Sequence, residues 1–307
     1  MPLDPMIAAM LEAMPDHPDK HAMDIVSYRA AVNAMTARMP RYELPLAAIE
    51  DRTIDADGVA LKVRIYTPVG QGSFPLFVYY HGGGFTIGDL DMCDPICRAL
   101  ASGAGCVLVS VDYRLAPEHP YPIPNDDCWA ALRWAQANAA SIGADAARIA
   151  VGGDSAGATL ASSMALRARA AGLPLAAQVL MYGIHDYDAE GDSYRSHADG
   201  PVLTLDDIHF YWDHYLPEGV DRTSPDAAPL HAKDLGGLPP AFVATAELDP
   251  SHSAGEAYGH ALDKAGVPTV IRRHPGMPHG FYSLVALVPA ARAAMDVLCD
   301  WLRRQLA

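Results

Sequence analysis

The sequence is poor in cysteine, in charge and in long apolar runs. Its five cysteines, Cys93, Cys97, Cys106, Cys128 and Cys299, form no Cys-x-x-Cys pair and have no metal-ligand spacing, which argues against a disulfide scaffold and against a bound metal. Cys93 and Cys97, four positions apart, would share one face of a helix as packing residues. Reduced thiols of this kind fit the cytoplasm. Basic residues number 22 against 37 acidic, for a formal net charge of -15. That charge repels phosphate backbones and anionic lipid surfaces, so nucleic acid is not an expected partner. No run of about 18 apolar residues is present to span a membrane. The opening Met1-Pro2-Leu3-Asp4-Pro5 lacks the basic start and apolar stretch of a secretory signal. What is abundant is hydrophobic residues, 50% of the 307, enough for a globular chain with a sizeable core.

From residue 53 onward, short apolar runs alternate with longer alanine-rich stretches, the pattern of an α/β protein with a mostly parallel sheet. Strands are expected at 52–56 and 59–66, on either side of the Asp57-Gly58 hairpin turn, then at 76–80, 106–111, 148–151, 177–181, 241–245 and 269–272. Most of the last six lack polar alternation, as strands covered on both faces should. Helices are expected near 92–103, 125–139, 156–171, 252–266 and 290–305, with Gly172 and Gly266 as stops. Residues 1 to about 45 and about 184 to 235 break the alternation. With no internal repeat or low-complexity linker, they predict a helical cap on a single domain spanning 1–307.

Two glycine-rich motifs carry the chemistry. Gly153-Asp154-Ser155-Ala156-Gly157 follows an expected strand and opens an expected helix, the context of a nucleophile elbow with Ser155 as nucleophile. Glycines two before and two after the serine let neighbouring backbone approach closely. His81-Gly82-Gly83-Gly84-Phe85 follows the strand 76–80, and its glycines leave N–H groups uncovered. Such donors stabilise the oxyanion of acyl transfer. We assign Gly82 and Gly83 as donors, with Ala156, at the positive end of its helix, as the third. His81 is expected to brace the loop.

A serine hydroxyl needs a base, and the base needs an orienting acid. In this fold both follow the serine along the chain, the acid first. The strand 241–245 leads to Glu247-Leu248-Asp249-Pro250 and the last strand to Pro278-His279-Gly280-Phe281. Asp249 is assigned as the acid, with Glu247 on the same side of the strand as the alternative, and His279 as the base. His274 lies nearer the strand, and the other histidines read as structural or surface residues. The aromatic run Phe210, Tyr211, Trp212 reads mainly as cap packing, with a pocket-lining role as the alternative. The last strand, 269–272, would lie at the sheet edge, where a second copy could pair in a homodimer.

On these residues the sequence resembles the hormone-sensitive lipase family of α/β hydrolases, in its bacterial branch with an HGGG loop and a GDSAG elbow. The resemblance spans nearly the whole chain and includes Asp112-Tyr113-Arg114-Leu115-Ala116-Pro117-Glu118-His119-Pro120-Tyr121-Pro122, Asp249-Pro250 and His279-Gly280-Phe281. It implies an α/β-hydrolase fold with a helical cap, hydrolysis of carboxylic esters by Ser155, Asp249 and His279, and no cofactor. It also implies that Arg114 and Glu118 pair behind the site. Amide or lactone hydrolysis by the same triad is the alternative activity, and a ligand-binding receptor on the same scaffold a more distant one. Two stretches depart from the family pattern. Ser251-His252-Ser253-Ala254 replaces the usual Leu-Arg-Asp-Glu after Asp249-Pro250, and Gly183 stands where a proline usually follows the tyrosine.

Overall fold

Most strands form where the apolar runs are, and from residue 74 onward strands alternate with helices. The computed structural model describes residues 1–14, 18–38, 40, 42–187 and 191–307. In chain order the elements are α1 (Pro5–Ala13), α2 (Ile25–Thr36), β1 (Leu46–Ala56), β2 (Val59–Pro68), β3 (Phe74–Tyr80), α3 (Asp94–Ala104), β4 (Val107–Asp112), α4 (Ile123–Ala137), β5 (Ala144–Asp154), α5 (Ala156–Ala171) and β6 (Ala177–Met181). There follow α6 (Asp192–Ser196), α7 (Leu205–Tyr215), β7 (Ala241–Leu248), α8 (His252–Lys264), β8 (Thr269–Pro278) and α9 (Pro289–Gln305). The eight strands make one sheet in the order β1-β2-β4-β3-β5-β6-β7-β8. β2 runs antiparallel to β1 and β4, and the remaining pairs are parallel. Asp57 and Gly58 both take positive φ, 56° and 83°, as a type I′ hairpin requires.

The two-residue period of a strand divides the core in two. Leu76, Val78 and Tyr80 face one cluster with residues of α4, α5 and α8, while Phe77 and Tyr79 face another with α3 and α9. All five are fully buried. α5 is buried on nearly every face, and its small residues (Ala156, Gly157, Ala158, Ala161, Ser162) let it lie close to the sheet. Gly172 ends it in the left-handed conformation at φ 69°.

β1 begins six residues before its expected start. Its first half is exposed and polar at Glu50, Asp51 and Arg52, so it lacks the apolar signature of a covered strand. β8 runs past residue 272 because pairing with β7 resumes at Leu248↔Pro278 after a register shift. The segments expected to form a cap supply α1, α2, α6 and α7. Each of the long ones has a local start signal: Asp4 caps α1, Asp24 caps α2, and Thr204 with Asp207 forms a capping box on α7. Side chains of α1, α2 and α7 line one cavity together with Ser155. The parallel strands converge on that cavity: residues 81–84 follow β3, Ser155 follows β5, Asp249 follows β7 and His279 follows β8.

Candidate active site

Ser155 joins β5 to α5 with no residue to spare, so its backbone takes φ 54° and ψ -122°, a conformation that L-residues adopt only under constraint. Its N–H donates to Met181 O on β6 at 2.8 Å. A side-chain carbon on Gly153 or Gly157 would collide with the Tyr80 carbonyl oxygen on β3. The glycines therefore let the elbow press against the sheet while the serine hydroxyl points out of it.

That hydroxyl begins a hydrogen-bonded series. Ser155 Oγ lies 2.8 Å from His279 Nε2, and His279 Nδ1 lies 2.7 Å from Asp249 Oδ2. Ser155 and His279 are 9% and 8% exposed, and Asp249 is fully buried. Burial alone would raise the Asp249 pKa, but the charge and hydrogen bond of His279 and two donors from Ser251 outweigh it and hold the carboxyl below its ordinary value. An ionised Asp249 only accepts, so Nδ1 carries the proton and Nε2 is free to accept from Ser155 Oγ–H. The Tyr182 ring lies 4.8 Å from the His279 ring and limits its tilt.

Glu247, the alternative acid, accepts from Gly276 N–H at 2.7 Å and pairs with the chain's N-terminal amine at 3.0 Å. His274 is buried beside Tyr282, 3.3 Å from its hydroxyl. His185 is buried against Tyr258, 3.4 Å from Ser162 Oγ. None of these reaches the serine.

The glycine loop differs from expectation at one position. Gly82 was assigned as an oxyanion donor, but its N–H donates to Asp154 Oδ1 at 2.8 Å, and Gly82 does not line the cavity. Gly83, Gly84 and Ala156 do, and no acceptor within the described residues takes their amides. Gly83 and Gly84 sit at φ 110° and 58°, which glycine alone adopts without strain at 110°. Asp154 also accepts from the Tyr79 hydroxyl at 2.5 Å, and burial pushes its pKa up against both hydrogen bonds. His81 braces the loop as expected: its Nδ1 lies 2.7 Å from Gly82 O and its ring stacks on Tyr113.

The cavity holds about 1280 Å³, above the usual range for small-ligand sites. Tyr211 and Trp212 line it and Phe210 does not; Phe210 packs on Tyr28 and His214 instead. The Tyr211 ring lies so close to Gly84 that any side chain there would strike it. The expected Arg114–Glu118 pair does not form. Arg114 binds Asp127 at 2.7 Å, and Glu118 takes a two-toothed contact from Arg29 of α2 at 3.0 and 2.9 Å. Because Arg29 also donates to Thr86 O at 2.8 Å, it ties α2 to the glycine loop, a long-range tie that no local motif announces. At the second family departure, a side chain on Gly183 would meet His185 Nε2 and Ala158 Cβ, so glycine lets the buried imidazole fit there.

The motifs, their order along the chain and the sheet topology already agree, and one further match decides the family. A model of the alpha/beta hydrolase fold matches residues 77–283. The chain is an α/β hydrolase. Among relatives of this α/β hydrolase, carboxylesterase NlhH of Mycobacterium tuberculosis is 42% identical, covering 95% of this chain and 92% of that protein. An arylesterase of Saccharolobus solfataricus is 34% identical over 92% of each chain. The structure of a thermostable esterase from Pseudomonas putida superposes on the hydrolase with a TM-score of 0.94 at 35% identity, covering 100% of this chain and 98% of the other. The resemblance to hormone-sensitive lipases read from the motifs therefore holds across the fold. Among the described residues no helix is long and apolar enough to cross a membrane.

Proposed function

We propose that this α/β hydrolase is a serine carboxylesterase acting on short- to medium-chain acyl esters. The observation that carries the reading is the unbroken series Ser155–His279–Asp249, at 2.8 and 2.7 Å, opening onto a cavity lined by unoccupied amides. Ser155 attacks the ester carbonyl while His279 Nε2 takes its proton. The oxyanion receives the N–H groups of Gly83, Gly84 and Ala156, with Gly82 acting one step back through Asp154. His279 returns the proton to the leaving alcohol, and water repeats the sequence on the acyl-enzyme. Asp249 stays ionised and stabilises the imidazolium. No cofactor takes part in these steps. Residues 1–45 and 184–235 act as a cap on a single domain and supply the apolar wall that receives the acyl chain. Names of the relatives, carboxylesterase and arylesterase, agree with the ester as substrate.

Five buried free thiols are compatible with a reducing compartment, the cytoplasm. β8 is an edge strand with Val270 39% exposed, and we assign a homodimer contact there; a monomer mass in solution would refute it.

Hydrolysis of p-nitrophenyl esters from acetyl to palmitoyl tests the activity. The expected profile peaks at short to medium chains and vanishes in Ser155→Ala. Ester turnover no greater than that of the variant would leave amides or lactones as the substrates.

A further inference from the structure

Helix α8 starts at a serine that does not cap it. Ser251 occupies the N-cap, where a serine hydroxyl usually accepts from the second or third helical amide, yet its side chain makes no capping bond. The hydroxyl instead donates backwards to Asp249 Oδ1 at 2.8 Å, and the Ser251 N–H donates to the same oxygen at 2.8 Å. Ser251 is 1% exposed, so water does not compete for the contact. With Oδ1 held by two donors, the carboxylate plane is fixed and Oδ2 is directed at His279 Nδ1.

The same loop is clasped from the cap. Ser193 of α6 donates its hydroxyl to Pro250 O at 2.6 Å and accepts the Ser253 N–H at 3.0 Å, while Ser253 Oγ accepts the Ser193 N–H at 3.2 Å. Gly191 packs on Ser253 with no space for a side-chain carbon. Two of the residues that depart from the family pattern, Ser251 and Ser253, are thus the ones that secure the acid and its loop.

We propose that Ser251 is a positioning residue of this hydrolase: its hydroxyl sets the orientation of Asp249 and so aims Oδ2 at His279 Nδ1. This rests on the triad reading above. Asp249 is faced by His279, Tyr182, Tyr194 and His252, the last also by Arg273, Glu256 and His197. His279 is faced by Ser155, Asp249, Asp154 and the Tyr182 ring. Burial holds both tyrosines neutral and His252 below its ordinary value.

The test compares the full chain with Ser251→Ala, Ser251→Thr and Ser155→Ala on p-nitrophenyl butyrate across pH, with active sites counted by a fluorophosphonate. Per titrated site, Ser251→Ala should lose about fivefold in kcat, the worth of one hydrogen bond of about 1 kcal/mol, with KM within about twofold. The low-field proton NMR signal of His279 Nδ1–H, which reads the Asp249 contact directly, should shift. Ser251→Thr, which keeps the hydroxyl, should restore the native values. A Ser251→Ala enzyme with native kcat per titrated site and an unmoved Nδ1–H signal overturns the proposal, even if fewer sites titrate. An active Ser155→Ala enzyme instead overturns the triad reading beneath it.

Discussion

Ser155 was legible because its requirements are local: glycines at -2 and +2, a strand before and a helix after, all within one short segment. His279 and Asp249 were legible from their places after the last two strands. The glycine loop was only half legible. Three consecutive glycines announce free amides, but the Gly82 amide is taken by Asp154, 72 positions away, which the motif read alone does not show. The roles of Asp154 and Ser251 were hidden although both stand inside quoted motifs, because a side chain's partner follows from the fold and not from its neighbours. Asp154→Ala leaves the buried Gly82 amide and Tyr79 hydroxyl without their acceptor, a cost of about 1–3 kcal/mol per group, reduced by removal of a desolvated carboxylate. The loop shift should lower kcat by about 10- to 100-fold, short of the loss of a whole oxyanion donor. Steady-state kinetics with a thermal melt checks both, and an unchanged kcat would show that Asp154 does not set the loop.

At the scale of elements, the central strands and the helices that cover them follow from apolar period and composition, and α5 and α8 match their expected ranges closely. The ends were less legible. β1 is half exposed, so its polar first half carries no burial signal, and β8 continues through Pro275 and Gly276 because β7 offers it a partner. How α2 and α6 dock was not legible at all. Arg29 binds Glu118 across 89 positions and Ser193 clasps Ser253 across 60, and such contacts arise only once the sheet has brought the loops together. These polar ties hold α2 against the glycine loop and α6 against the loop that follows Asp249. The exposed half of the Arg29 contact is worth little by itself, but its bond to Thr86 O links α2 to the glycine loop.

As a whole molecule the protein packs an apolar cluster on each face of the sheet, and burial lowers three of its histidines, His185, His252 and His274. Burial lowers His185 to about 3 and His274 to about 4. Both are neutral in the fold down to those values, whereas in the unfolded chain they take up protons below about 6.5. Between each folded value and 6.5 the unfolded state binds more protons, so stability falls as pH drops. At about 1.4 kcal/mol per pH unit for each group, the loss from pH 7 to 5 reaches up to about 4 kcal/mol. Asp249, held low, remains ionised in this range, while Asp112 and Asp154, raised by burial, offset part of the loss at its acid end. The thermal midpoint should therefore be lower at pH 5 than at pH 7, and equal midpoints would contradict neutral burial of the two imidazoles. The central claim, that the folded chain makes Ser155 its nucleophile through His279, is tested most directly by covalent labelling. After treatment with a fluorophosphonate at neutral pH, intact-mass and peptide analysis should find one phosphonyl group, on Ser155, in the native chain and almost none in His279→Ala. A label on another serine, or equally fast labelling without His279, would contradict it.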